Sequence, residues 1–65
     1  MARWTGETIT MQVGAQWTYK LRLLEQVEIN PRSQLVLSQK MFSTEEEARS
    51  AGDVHLQSEI EKRSG

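Results

Sequence analysis

Apolar residues fall at alternate, odd-numbered positions in three successive segments of this chain. Alternation with a period of two places all the apolar side chains of a segment on one face of a β-strand. Residues 14–16 and 30–33 separate the segments and have the composition of turns. The pattern predicts strands at about residues 7–13, 16–29 and 34–42, whose buried stripe consists of Ile9, Met11, Val13, Trp17, Tyr19, Leu21, Leu23, Val27, Leu35, Leu37 and Met41.

A helix is predicted after residue 42, where the alternation ends. Ser43 and Thr44 are each followed three residues later by a glutamate, which is a capping-box signature in two possible registers. Three glutamates in the first turn and a Lys-Arg pair near the end match the helix dipole. The spacing favours one helix over about residues 44–62 that runs through Gly52, with a break at Gly52 as the alternative.

The length of 65 residues allows one core and one domain, spanning residues 1–65. The chain has no cysteine, which excludes disulfides, thiolate metal sites and cysteine nucleophiles. It has one histidine, and its composition predicts neither a metal site nor a cofactor. No apolar run suits a signal peptide or a membrane span, so we expect a cytoplasmic protein that does not contact a membrane.

The fold class predicted is α+β, a three-stranded antiparallel meander with the C-terminal helix packed on one sheet face (β-β-β-α). Because every stripe is odd-numbered, residues opposed in neighbouring strands should have numbers that sum to an even value. This register places Val13 opposite Trp17 and Ile29 opposite Leu35. It also aligns three breaks in the stripes as one polar rung of uncertain role, formed by Thr5, Glu25 and Gln39.

The even-numbered sheet face is the predicted functional surface, because one helix covers only one face. Apolar, aromatic and basic side chains occur together there, as they do in interface cores. We therefore expect a non-enzymatic module that binds a protein partner or forms a homodimer, although a merely solvated face is an alternative. The predicted interaction surface consists of Trp4, Lys20, Arg22, Leu24, Val36, Lys40 and Phe42.

Nucleic-acid binding is the alternative function, because charge is unevenly distributed along the chain. Residues 1–43 carry a net charge of +2 and residues 44–65 a net charge of −3. A basic three-stranded face opposite an acidic helix resembles the sheets that enter a DNA groove. In this alternative, the residues that contact phosphates are Lys20, Arg22 and Lys40.

Catalysis is not expected from this sequence. His55 is the single histidine, and Glu25 is the one acid predicted on the core-facing side. A carboxylate buried there would have a raised pKa, whereas one at a bulge or sheet end would reach solvent. No nucleophile with its base, glycine-rich phosphate loop or metal-ligand spacing accompanies these residues, and no small-molecule substrate is evident.

Two known families share part of this pattern. The strand at residues 16–21, followed by Ser38 and the capped-helix opening at residues 42–48, resembles the small uncharacterised YegP-like bacterial domain. That resemblance implies a hairpin leading to a Ser/Thr-capped helix, with no assigned function.

The helix opening is also similar to the arm-type DNA-binding domain of tyrosine recombinases. In that family a three-stranded sheet precedes a helix that opens F-x-T-x-x-E-A, which Phe42, Thr44, Glu47 and Ala48 match. This second resemblance implies a DNA-facing surface formed by Thr18, Lys20, Arg22 and Lys40.

Overall fold

Three antiparallel strands and one helix make up the fold in the computed structural model, which describes residues 3–64. The elements are β1 (Arg3–Val13), β2 (Gln16–Gln26), β3 (Ser33–Leu37) and α1 (Glu45–Ser64). The sheet order is β1-β2-β3, and α1 packs on one face. The predicted α+β fold is therefore confirmed, although β1 begins four residues earlier than predicted and β2 ends three residues earlier.

The N-terminus of α1 is capped by Thr44. The Thr44 hydroxyl accepts a hydrogen bond from the Glu47 amide at 3.2 Å and donates one to Glu47 Oε1 at 3.2 Å. Of the two capping registers, the fold therefore uses the one that begins at Thr44, and such a cap contributes about 1 kcal/mol. The helix runs unbroken through Gly52, which confirms the prediction of a single helix.

The first hairpin has a two-residue loop, and this makes the predicted register wrong. Gly14 has a φ of 62°, and Ala15 follows it without a positive φ. This matches a type II′ turn, which places glycine first. A two-residue loop gives opposed residues numbers that sum to an odd value, so Val13 lies opposite Gln16 rather than Trp17. The even-numbered residues of β1 thus share a face with the odd-numbered residues of β2.

The second hairpin inverts β3 in the same way. Residues 27–32 form its loop, in which Asn30 has a φ of 53°. Leu21 lies opposite Val36, so the predicted pairing of Ile29 with Leu35 is also wrong. The even-numbered residues of β3 therefore face the helix together with the odd-numbered residues of β2.

The core lies between α1 and this mixed-parity face. Leu21 and Leu23 are fully buried, and the other buried apolar residues are Trp4, Tyr19, Ala48 and Leu56. We call the opposite face, which α1 leaves uncovered, the open face. Five residues predicted as core instead belong to the open face because of the register: Ile9, Met11, Val13, Leu35 and Leu37.

The helix approaches β1 and β2 closely because the residues at the contact are small. A Cβ atom added at Gly52 would overlap Thr8 Cγ2 and would lie 3.1 Å from the Tyr19 ring. The Thr8 hydroxyl also donates a hydrogen bond to Asp53 Oδ1 at 2.7 Å. By contrast, no Cα of α1 lies within 8 Å of a Cα of β3 among the described residues. The backbone of β3 therefore lies farther from α1 than the backbones of β1 and β2 do.

A bulge follows β3 and directs the chain back to the core. Ser38 continues the ladder by donating its amide to Tyr19 O at 3.1 Å, and Phe42 forms an isolated bridge with Trp17. Residues 39–41 thus stand opposite the single residue Thr18, whose hydroxyl donates to Lys40 O at 2.9 Å. The bulge explains why strand pairing stops short of the predicted residue 42.

Candidate functional site

The predicted interaction surface is divided between the two faces of the sheet. Lys20, Arg22 and Leu24 belong to the open face. In β2, as predicted, the odd-numbered residues face the helix and the even-numbered residues face away from it. Trp4 and Val36 face the helix instead, which corrects the prediction. In both hairpins the numbers of opposed residues sum to an odd value, and this turns the even-numbered residues of β1 and β3 towards the helix. The remaining two predicted members are not part of the open face. Lys40 lies in the bulge, and Phe42, just after it, packs against the core.

Trp4 is a packing residue in this fold. Its side chain is buried, and the guanidinium carbons of Arg32 and Arg63 lie 5.5 and 5.6 Å from the ring centroid. Each arginine also binds a carboxylate, Arg32 that of Glu25 and Arg63 that of Glu59. The indole thereby joins β1 to the 27–32 loop and to the end of α1.

Glu25 forms a two-pronged ion pair, and the predicted polar rung does not form. Arg32 Nε and Nη2 donate to the two Glu25 carboxylate oxygens at 3.0 and 2.7 Å. The Arg32 hydrogen bonds outweigh desolvation and hold the pKa of Glu25 below its ordinary value. Of the two alternatives for Glu25, the raised pKa is thus excluded, and the side chain is buried against Arg32 rather than extended into solvent. Thr5 lies opposite Leu24, Glu25 opposite Trp4, and Gln39 in the bulge.

The centre of the open face is charged. Lys20 has Ile9 and Leu37 as its cross-strand neighbours and forms no ion pair with any residue from 3 to 64. Arg22 Nη1 lies 3.5 Å from Glu7 Oε1, with both side chains more than half exposed. Such an exposed pair contributes little to stability, but it neutralises Arg22 locally. Lys20 is therefore the uncompensated charge in the middle of this face.

The apolar part of the open face lies on and beside β3. Leu35 and Leu37 are 62 % and 65 % exposed, and Leu24 on the neighbouring strand is 41 % exposed. We call these three residues the β3 patch. Exposed apolar side chains grouped in this way are typical of interaction surfaces, whereas isolated ones are common everywhere.

A groove separates α1 from the bulge on the helix side of the sheet. Tyr19 and Phe42 form part of its lining, together with Val54 and His55 of the helix. The Tyr19 hydroxyl lies 2.8 Å from His55 Nδ1, and His55 Nε2 lies 3.2 Å from Glu59 Oε2. This chain of hydrogen bonds has no counterpart among the sequence predictions. The available signal was that residues 48, 52, 55, 56 and 59 repeat at the spacing of one helix face.

Glu59 is the centre of an ion-pair cluster at the end of α1. Arg63 Nη1 donates to Glu59 Oε1 at 2.6 Å, and Lys62 Nζ donates to Oε2 at 3.3 Å. The hydrogen bond from Arg63, aided by Lys62, outweighs desolvation and holds the pKa of Glu59 at about 2, against an ordinary value of 4.5. The cluster ties the helix to β3, because Arg63 also donates to Gln34 Oε1 at 2.6 Å.

Stability is expected to fall as the pH drops from about 4.5 to about 2. A carboxylate with a lower pKa in the folded state stabilises the fold above its unfolded pKa and loses that contribution as it is protonated. Urea midpoints measured across this range should therefore fall less steeply for Glu59→Gln than for the wild type. Glu61→Gln, an exposed change on the same helix, is the control that should keep the wild-type slope. Equal slopes for Glu59→Gln and the wild type would contradict the role of this cluster.

Comparisons with protein-family models, curated proteins and solved structures found no match to this chain. Within residues 3–64, the single helix lacks the combination of length and apolar character needed to span a membrane. The same residues contain no group of three acidic or histidine side chains placed to hold a metal ion. The two family resemblances stay predictions.

Proposed function

We propose that this protein is a non-enzymatic self-association module that binds a second copy of itself at the β3 side of its sheet. The observation that carries the proposal is the β3 patch, in which Leu35 and Leu37 are both more than 60 % exposed. A homodimer would remove these side chains from water. We place the protein in the cytoplasm, whose reducing conditions suit a chain without cysteine.

The accessible area and the radius of gyration of the chain are both larger than those of a compact monomer of its size. Its accessible area is 4760 Å², whereas a compact monomer of 7.5 kDa exposes about 4,200 Å². Its radius of gyration is 12.9 Å, compared with about 11 Å for a compact domain of this length. The larger area and radius match a sheet whose third strand lies away from the helix backbone. Small domains commonly gain stability by covering an exposed surface through oligomerisation.

The charge distribution favours the β3 side over the middle of the open face. Packing two open faces together would bury Lys20 of each copy without a partner, which is costly. Interface cores are depleted of charged residues, and charges are tolerated at the rim. β3 has no charged residue between Ser33 and Leu37, so it meets this requirement.

Nucleic-acid binding is less well supported by the same charges. Of the three cations predicted to contact phosphates, Arg22 is paired with Glu7, and Lys40 lies in the bulge. Of these three, only Lys20 remains on the open face as a cation without an ion pair among the described residues, and one phosphate contact gives weak electrostatic binding to a duplex.

Sedimentation velocity at increasing concentration tests the proposal. The wild type should sediment with twice the mass of the 7.5 kDa chain. Leu35→Glu and Leu37→Glu should each weaken the dimer by at least about tenfold, because they would bury a carboxylate in the interface. Circular dichroism should show an unchanged fold for both, since the two positions are exposed in the single chain.

The matched control is Ile29→Glu, which adds the same charge at a loop residue that is 79 % exposed and outside the β3 patch. This variant should dimerise as the wild type does. A wild type that is monomeric throughout, or an Ile29→Glu variant that dissociates equally, would overturn the proposal. Salt-dependent binding of duplex DNA by a wild-type monomer, lost in Lys20→Glu, would favour the nucleic-acid alternative instead.

A further inference from the structure

β3 has a free edge, and its hydrogen-bond pattern shows which residues form that edge. Arg32 O accepts from the Glu25 amide at 2.8 Å, and the Ser38 amide donates to Tyr19 O at 3.1 Å. Both bonds lie in the β2–β3 register, so even-numbered residues of this segment direct their backbone groups towards β2. The outward N–H and C=O groups therefore belong to Ser33, Leu35 and Leu37.

The helix packs along the edge of β1 but not along that of β3. On β1, the Thr8 and Thr10 hydroxyls donate to Asp53 and Glu45 of the helix at 2.7 and 2.8 Å. Charged and covering groups of this kind discourage a second strand from pairing with an edge. β3 contains no charged residue, and the Arg63 side chain of α1 meets it at Gln34, whose own backbone groups point towards β2 rather than to the edge. β3 is therefore the edge suited to pair with another strand.

We propose that two copies of this chain join their β3 strands antiparallel, with Leu35 opposite Leu35 of the second copy. This inference rests on the proposed self-association and specifies its geometry. In this register Ser33 lies opposite Leu37 of the second copy, and Leu37 opposite its Ser33. All three pairs are of the hydrogen-bonded type, and each pair exchanges two bonds. The outward N–H and C=O groups of both strands are then fully used.

The neighbouring registers leave more of the outward backbone N–H and C=O groups without a hydrogen-bond partner. Moving the strands so that Gln34 lies on the two-fold axis places Leu37 opposite Pro31, which has no N–H to donate. Moving them the other way places Ser33 opposite Gln39, which lies in the bulge rather than in a strand. The register centred on Leu35 is therefore the one that uses the whole edge.

The paired strands would form a six-stranded sheet with both helices on the same side. The two-fold axis is perpendicular to the sheet, so Leu35 of each copy meets its equivalent on the open face. On the helix side, the half-buried Val36 would lie opposite Gln34 of the second copy. The edge contact thus also shields apolar side chains on both faces of β3.

Disulfide trapping tests this register, and the chain is suited to it because it has no cysteine of its own. Hydrogen-bonded antiparallel pairs have Cα atoms about 5.5 Å apart, which is within the range that a disulfide spans. Leu35→Cys should therefore form a covalent dimer in a glutathione redox buffer at least about tenfold faster than Ile29→Cys, an exposed control outside the edge.

A second pair of variants keeps Leu35 intact. Ser33→Cys and Leu37→Cys should cross-link rapidly when mixed and slowly when each is alone, because the register opposes residue 33 to residue 37. If the wild type sediments as a dimer but neither arrangement exceeds the Ile29→Cys rate, edge pairing is overturned while self-association stands. If the wild type sediments as a monomer and the cross-linking rates match the control, both proposals fail.

Discussion

Leu21→Ala is expected to unfold a large share of the protein, whereas Leu35→Ala should change the stability of the single chain by less than about 1 kcal/mol. Leu21 is 0 % exposed, and Leu35 is 62 % exposed. Truncating a buried leucine costs about 2–5 kcal/mol, including the cavity that it leaves. A domain of this length has roughly 3–10 kcal/mol of stability, so the loss at Leu21 removes much of it.

Urea denaturation followed by circular dichroism measures this difference. The protein concentration should be low, so that self-association does not add to the apparent stability. The comparison tests the register directly, because the sequence pattern places both leucines in one buried stripe. Similar losses at Leu21 and Leu35 would show that the odd-numbered face of β3 is the buried one.

Gly52→Ala is expected to destabilise the fold by about 1–3 kcal/mol, although alanine is the better helix former. At an exposed helix position this substitution would gain about 1 kcal/mol. Here the added methyl group would overlap Thr8 Cγ2 and press on the Tyr19 ring, so α1 must move away from the sheet. Overpacking a close contact in this way typically lowers the free energy of unfolding by about 1–3 kcal/mol. Thermal or urea unfolding measures the sign of the change.

Two variants show whether the cause is steric. Ser58→Ala adds helix propensity at an exposed position of α1 and should not destabilise the protein. Thr8→Ser removes the overlapping methyl group and keeps the hydroxyl that binds Asp53. The double variant Thr8→Ser/Gly52→Ala should therefore recover part of the stability lost in Gly52→Ala. Stabilisation by Gly52→Ala alone would refute the close approach of the helix.

The sequence predicted the element order and the helix cap because these depend on neighbouring residues. Thr44 and Glu47 lie within one helical turn, and the period of two identifies a strand without reference to its partner. The face of each strand depends on loop length instead. Reading Gly14 as part of a three-residue loop shifted every pairing of β1 by one residue and so turned that strand over.

A further signal for the correct face was present in β1. Gly6, Thr8 and Thr10 are small residues at alternate positions, and the structure places them beneath α1. A helix whose own buried residues include Ala48 and Gly52 lies close to its sheet, so it requires small side chains below it. The larger residues Ile9 and Met11 do not fit there, although hydrophobicity alone assigns them to the core.

The candidate site was predicted only in part, because the face of each outer strand depends on the length of its hairpin loop. The prediction for Lys20, Arg22 and Leu24 is correct because β2 is the central strand. An error in loop length turns β1 or β3 over relative to β2 and leaves the faces of β2 unchanged. Trp4 depends on the β1 register, and its two arginine neighbours come from distant parts of the chain. Such contacts have no local spacing from which they can be read.

The bulge after β3 also restricts how the length of this segment can vary in related chains. Three residues, 39–41, stand opposite the single residue Thr18, so the segment carries two residues more than a regular ladder. Removing two would keep Phe42 on the same side of the sheet, whereas removing or adding one would turn it to the other side. Viable insertions and deletions here should therefore accumulate in steps of two.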